Sequence, residues 1–100
     1  MKLLTQEIRK QLPPLGSQEN NSDPTVIVKF FCPWSYWTWY AYEFDGDDIF
    51  WGFVKGDFDE FGTFSLSELE SIRGPMGLGI ERDLYFKPAK LSKIIQAETE

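Results

Sequence analysis

Fifteen of the chain's seventeen Phe, Trp and Tyr residues fall between Phe30 and Phe64. They come in short runs interrupted at Pro33, Asp45-Gly46, Lys55-Gly56 and Gly62. Aromatic and β-branched runs bounded by turn formers are strands. Asp-Gly between two of them is a strong hairpin signal. This spacing predicts strands over 25–31, 36–44, 49–54 and 58–64, the last broken at Gly62.

Helical patterns flank the strands. Over 4–12, Leu4, Ile8 and Leu12 share one face, Thr5 is the expected N-cap, and Pro13-Pro14 ends the helix. The polar stretch 16–24 reads as a flexible surface loop without a function of its own. Ser65 with Glu68, or Ser67 with Glu70, starts a second helix carrying Leu66, Leu69 and Ile72, with Gly74 expected at C′ before Pro75. A short strand is expected over 84–86. A last helix is expected from Pro88 to Ala97, with 98–100 as a tail. The fold class is α+β: an antiparallel sheet of four or five strands with three short helices, in a single domain over 1–100.

Strand parity sorts the rings. Tyr36, Thr38, Tyr40, Tyr42 and Phe44 are expected on one face with Ile49, Trp51 and Phe53. Trp37, Trp39, Ala41 and Glu43 are expected on the other with Phe50, Gly52 and Val54. Both faces are then apolar, so either helices cover both or one stays open. The Trp37/Trp39 face is the candidate for the open one, with Gly52 allowing a Trp ring to lie over the backbone.

Composition limits the chemistry. One hundred residues with 42% hydrophobic content suit one core. The chain has no histidine, which removes histidine general bases, Ser-His-Asp and Cys-His catalysis, and histidine metal ligands. The single cysteine, Cys32, allows no internal disulfide, so a cytoplasmic location is expected. No apolar run approaches a membrane span, and residues 1–11 hold no signal-peptide core. Glycine-rich phosphate loops are absent, and no cofactor or metal is expected.

Charge is concentrated as well. Glu43, Asp45, Asp47, Asp48, Asp57, Asp59 and Glu60 share the aromatic stretch with Lys55 alone, giving that region the −6 of the whole chain. Such acidity disfavours nucleic acid and acidic membranes and favours a basic protein partner. The first acidic group belongs to the hairpin tip and the second to the next turn, at opposite ends of a shared strand. Arg82, between Glu81 and Asp83, is a candidate interface or anion-binding residue.

The runs Lys29-Phe30-Phe31, Pro33-Trp34, Trp37-Thr38-Trp39-Tyr40 and Glu43-Phe44-Asp45-Gly46 resemble the uncharacterised bacterial family DUF2958. So do Phe64 to Glu70, Arg73-Gly74-Pro75 and Ile80 to Phe86. The resemblance implies no activity, cofactor or catalytic residue. It implies a bacterial protein of plasmids and other mobile elements, a context of defence or counter-defence.

The expectation is a non-enzymatic interaction protein that contacts a basic partner through Trp37, Trp39, the seven acidic residues and Arg82. One form is an inhibitor of a nucleic-acid-processing defence system, of the anti-CRISPR or anti-restriction type. The alternatives are a carboxylate- and metal-dependent enzyme, and single-stranded nucleic-acid binding on the aromatic face. An unpaired edge strand would equally serve a homodimer.

Overall fold

The structure, a computed structural model, describes residues 2–99. Helix α1 is Gln6–Gln11, capped as expected by Thr5, whose side-chain oxygen accepts from Ile8 N–H. Strands β1 (Thr25–Val26) and β2 (Val28–Phe31) replace the single strand expected over 25–31. β3 (Thr38–Phe44), β4 (Ile49–Lys55) and β5 (Asp59–Ser65) follow, and then α2 (Leu66–Ser71). The short β6 is Glu81–Arg82 and β7 is Ala89–Lys90, leading into α3 (Leu91–Thr99). The short strand expected over 84–86 is a turn; the residues that pair with β2 are Glu81–Arg82, just before it.

The main sheet is antiparallel in the order β5-β4-β3-β2-β6; β1 and β7 form a second, two-stranded sheet. Both faces carry a core, and the tyrosine face leaves Trp51 and Phe61 partly exposed. One carries the larger core: Phe30, Trp39, Ala41, Phe44 and Phe50, under the N-terminal segment, α1 and Leu66 and Leu69 of α2. The other packs Tyr40, Tyr42 and Phe53 beneath Val26 and the α3 residues Leu91 and Ile94.

The β3–β4 hairpin corrects the parity expectation at two residues. Asp45 N–H donates to the Ile49 carbonyl, so the loop holds three residues, and Phe44 pairs with Phe50. An odd loop reverses the face assignment next to the tip. The ladder then skips a residue between Ala41 and Glu43, leaving Tyr42 as a β-bulge, and Tyr40 meets Phe53 as expected. Phe44 therefore joins the tryptophan-side core, stacked on Phe50 at 4.5 Å, while Glu43 turns to the tyrosine face opposite Trp51. Gly52 sits where this bulge presses the strands together. A Cβ there would overlap the Tyr40 carbonyl oxygen. Its role is close backbone approach, and no Trp ring lies over it. The Trp rings lie over other glycines: Trp37 over Gly56 and Trp34 over Gly74. Gly74 thus serves packing, and α2 ends earlier, at Ile72.

Candidate interaction surface

Each sequence-predicted residue has a definite place, and the ten do not form one surface. Trp39 is 7% exposed in the larger core, and Trp37 packs beside it with ring centroids 5.9 Å apart. The Trp37/Trp39 face is closed by α1 and α2, because a sheet with two apolar faces loses most apolar exposure when helices cover both. Trp39 is buried there and Trp37 is half-buried.

The acidic residues at the β3–β4 end are engaged in the fold. Asp45 Oδ1 accepts from the N–H groups of Asp47, Asp48 and Ile49 at 2.9, 2.8 and 3.0 Å, which shapes the three-residue loop. These backbone bonds hold the Asp45 carboxyl below the usual aspartate range. Gly46 completes the loop at φ 89°, and Arg9 clamps it by donating to the Gly46 carbonyl at 2.7 Å. Asp48 reaches across to α2: it accepts from Ser65 Oγ at 2.6 Å, from Ser67 N–H at 2.8 Å and from Ser67 Oγ at 2.9 Å. Those bonds, Ser65 first, lower its carboxyl as well. Asp48 is a capping residue supplied from another element. Only Asp47 leaves its carboxylate to solvent at this tip.

Glu43 is not at the tip. It is 3% exposed, and its two oxygens accept from Gly16 N–H and Gln18 N–H, both at 2.7 Å. The loop 16–24 is thereby tied to β3 at its start. At its end, Asp23 caps α3, accepting from Ser92 N–H at 2.9 Å and Ser92 Oγ at 2.8 Å. Arg82 donates to the carbonyls of Lys2 and Leu3 and so pins the N-terminal segment to β6.

The β4–β5 end differs. Asp57, Asp59 and Glu60 are exposed. Asp57 accepts from Tyr36 O–H at 2.5 Å, which raises the phenol's pKa, and Asp59 meets Lys55 at 3.5 Å. Between them lie large exposed rings: Phe58 at 78%, Phe61 at 53%, and Tyr36. β5 is also the sheet's edge, pairing only with β4. The Ile49 carbonyl faces β3, so alternation turns Phe50, Gly52 and Val54 toward β5. The backbone groups of Phe61 and Thr63 then lie on the open edge. The tip and this turn stand at opposite ends of β4, roughly 20 Å apart for a seven-residue strand.

Along the middle of β4 and β5, on the tyrosine face, loop 16–24 encloses a groove of about 580 Å³, floored by Trp51, Phe61 and Tyr42. Trp51 Nε1–H donates to Tyr42 Oη at 3.0 Å, and burial raises the Tyr42 hydroxyl's pKa. Sequence reasoning missed Tyr36, Phe58, Phe61, Trp51 and Asp23. Phe58 and Phe61 carried a signal, since they are the rings interleaved with Asp57, Asp59 and Glu60. Asp23 carried none, because its helix begins 68 residues away in sequence.

Among the described residues, no three Cys, Asp or Glu side chains converge as ligands for one ion. No helix is long and apolar enough to cross a membrane.

The model of the family described as "Protein of unknown function (DUF2958)" matches residues 3–99, and the chain belongs to that family. No curated protein and no solved structure matches the chain.

Proposed function

We propose that this DUF2958 protein is a protein-interaction module and that the β4–β5 end of its sheet is the contact surface for a basic partner. The supporting observation is the interleaving of Tyr36, Phe58 and Phe61 with Asp57, Asp59 and Glu60 at an unpaired sheet edge. Exposed rings of this size are the usual anchors of protein interfaces. The surrounding carboxylates supply steering and partner choice, and Lys55 offsets only part of their charge. The free backbone groups of Phe61 and Thr63 offer hydrogen bonds to an added strand. Asp59 and Glu60 on the same edge discourage indiscriminate pairing.

An inhibitor that fills a basic nucleic-acid groove is one form of this function. In that form the carboxylates at this end stand in for phosphates. The β3–β4 tip is a weaker choice, because Asp45 and Asp48 are already bonded within the fold.

The test is affinity capture from the native bacterial host with wild-type protein and with a variant carrying Asp57→Lys, Asp59→Lys, Glu60→Lys and Phe58→Ser. The captured protein is identified by mass spectrometry, purified and titrated by calorimetry at low and high salt. The reading expects a basic protein, binding that weakens with salt, and loss of binding in the variant. Equal binding by the variant overturns it. A captured protein that also gives up its DNA or RNA on binding identifies the inhibitor form. Light scattering on the purified chain separates a second copy from a foreign partner.

A further inference from the structure

We infer that the groove beneath loop 16–24 is an arginine-binding site, which receives an arginine side chain of a partner segment together with its neighbouring residues. Four observations carry this. The groove is lined by Glu43 and Glu19 and by no lysine or arginine. Its floor is aromatic, with Trp51 and Phe61 still 37% and 53% exposed. The Trp51 ring is oriented, because its Nε1–H is held by the Tyr42 hydroxyl. The Glu43 carboxylate is buried in the groove wall and makes no ion pair among the described residues.

The chemistry follows from those groups. Each Glu43 oxygen accepts one backbone N–H, from Gly16 or Gln18, and keeps a second acceptor position. A buried carboxylate without a counter-charge favours a cation beside it. The rings favour a cation that is planar, weakly hydrated and able to stack, and the guanidinium has those properties where ammonium does not. The volume lies in the usual range for ligand sites and exceeds what one side chain fills, so flanking peptide enters with it. Phe61 lines both the groove and the open edge, so a strand on β5 can place a residue in the groove.

The inference rests on the proposed function only for which protein bears the arginine; the site itself is tested without a partner. The isotope-labelled chain is titrated with acetyl-arginine-methylamide, followed by the Trp51 indole N–H signal and the Gly16 and Gln18 amides. Acetyl-citrulline-methylamide, neutral and of the same shape, and acetyl-phenylalanine-methylamide are the controls. Saturable shifts with arginine are expected, with a dissociation constant on the order of 1 mM for so small a ligand. Both controls should bind at least about tenfold more weakly. Trp51→Leu, which leaves Glu43 and the loop bonds in place, should weaken arginine binding at least fivefold. Glu43→Gln should abolish the preference for arginine over citrulline, and its amide spectrum reports whether the loop stays in place. No shift with arginine, or equal shifts with citrulline or phenylalanine, overturns the site. If capture of a basic partner persists without arginine binding, the interaction surface stands and this site falls. If arginine binds while the charge-reversal variant still captures its partner, the site stands and the surface falls.

Discussion

The two acidic ends of β4 look alike in sequence and differ in use. At the β3–β4 tip, Asp45 accepts three loop N–H groups and Asp48 caps α2, so the carboxylates hold the chain in place. At the β4–β5 turn, Asp57, Asp59 and Glu60 bond only side chains, Tyr36 and Lys55, or face water. A carboxylate that satisfies backbone donors is part of the fold, because those donors would otherwise be left short of partners. One that does not is available to another molecule. Similar clusters of negative charge thus divide into structure and surface according to what lies within bonding reach.

The contrast breaks most severely at the bulge that turns Glu43 inward. Gly52→Ala sets a methyl group against the Tyr40 carbonyl and should cost about 3 kcal/mol or prevent folding, as read by urea unfolding. Glu43→Ala comes next. It leaves the Gly16 and Gln18 N–H groups without their acceptor and should cost about 2 kcal/mol, with loss of order over 16–18 in the amide spectrum.

Asp48→Asn should have a smaller effect with a distinct pH signature. Hydrogen bonds hold the folded Asp48 and Asp45 carboxyls below the usual aspartate range, which the unfolded chain keeps. The unfolded chain therefore binds more protons between the two values, and stability falls as pH drops through that window. Wild-type urea midpoints should be level above about pH 5 and decline below about pH 4. Asp48→Asn should have a lower midpoint at neutral pH and a flatter acid decline. A decline as steep as the wild type's would remove Asp48 from the structural group.

The smallest stability effect belongs to the other end. Asp57→Asn, Asp59→Asn and Glu60→Gln together should change stability by no more than about 0.5 kcal/mol, since all three side chains are exposed. A loss above about 2 kcal/mol would show that both turns serve the fold and end the comparison.

Much of the fold was legible because it rests on local patterns. Thr5 and Ser65 cap the helices expected of them, and the hairpin turns at Asp45-Gly46. The α3 stripe of Leu91 and Ile94 packs on the sheet as its spacing implies. Face assignment was less legible. One extra loop residue and one bulge residue cancel along β3, so parity holds at Trp39, Tyr40 and Ala41 and fails at Glu43 and Phe44. Neither irregularity leaves a local mark strong enough to count. The surface was legible only as a list of acidic and aromatic residues. Trp37 and Trp39 read as readily for display as for core, until α1 and α2 cover them.

By itself the sequence determined the long strands and the helices in their order, the abundance of rings and carboxylates, and membership in the family, because these depend on residue type and short-range spacing. It did not determine the short strands β1, β6 and β7. Only the tertiary structure decided which rings stay wet and which carboxylates stay free. Burial and hydrogen bonding depend on partners such as Ser65 for Asp48 or Gly16 for Glu43, which meet only once the chain has closed on itself.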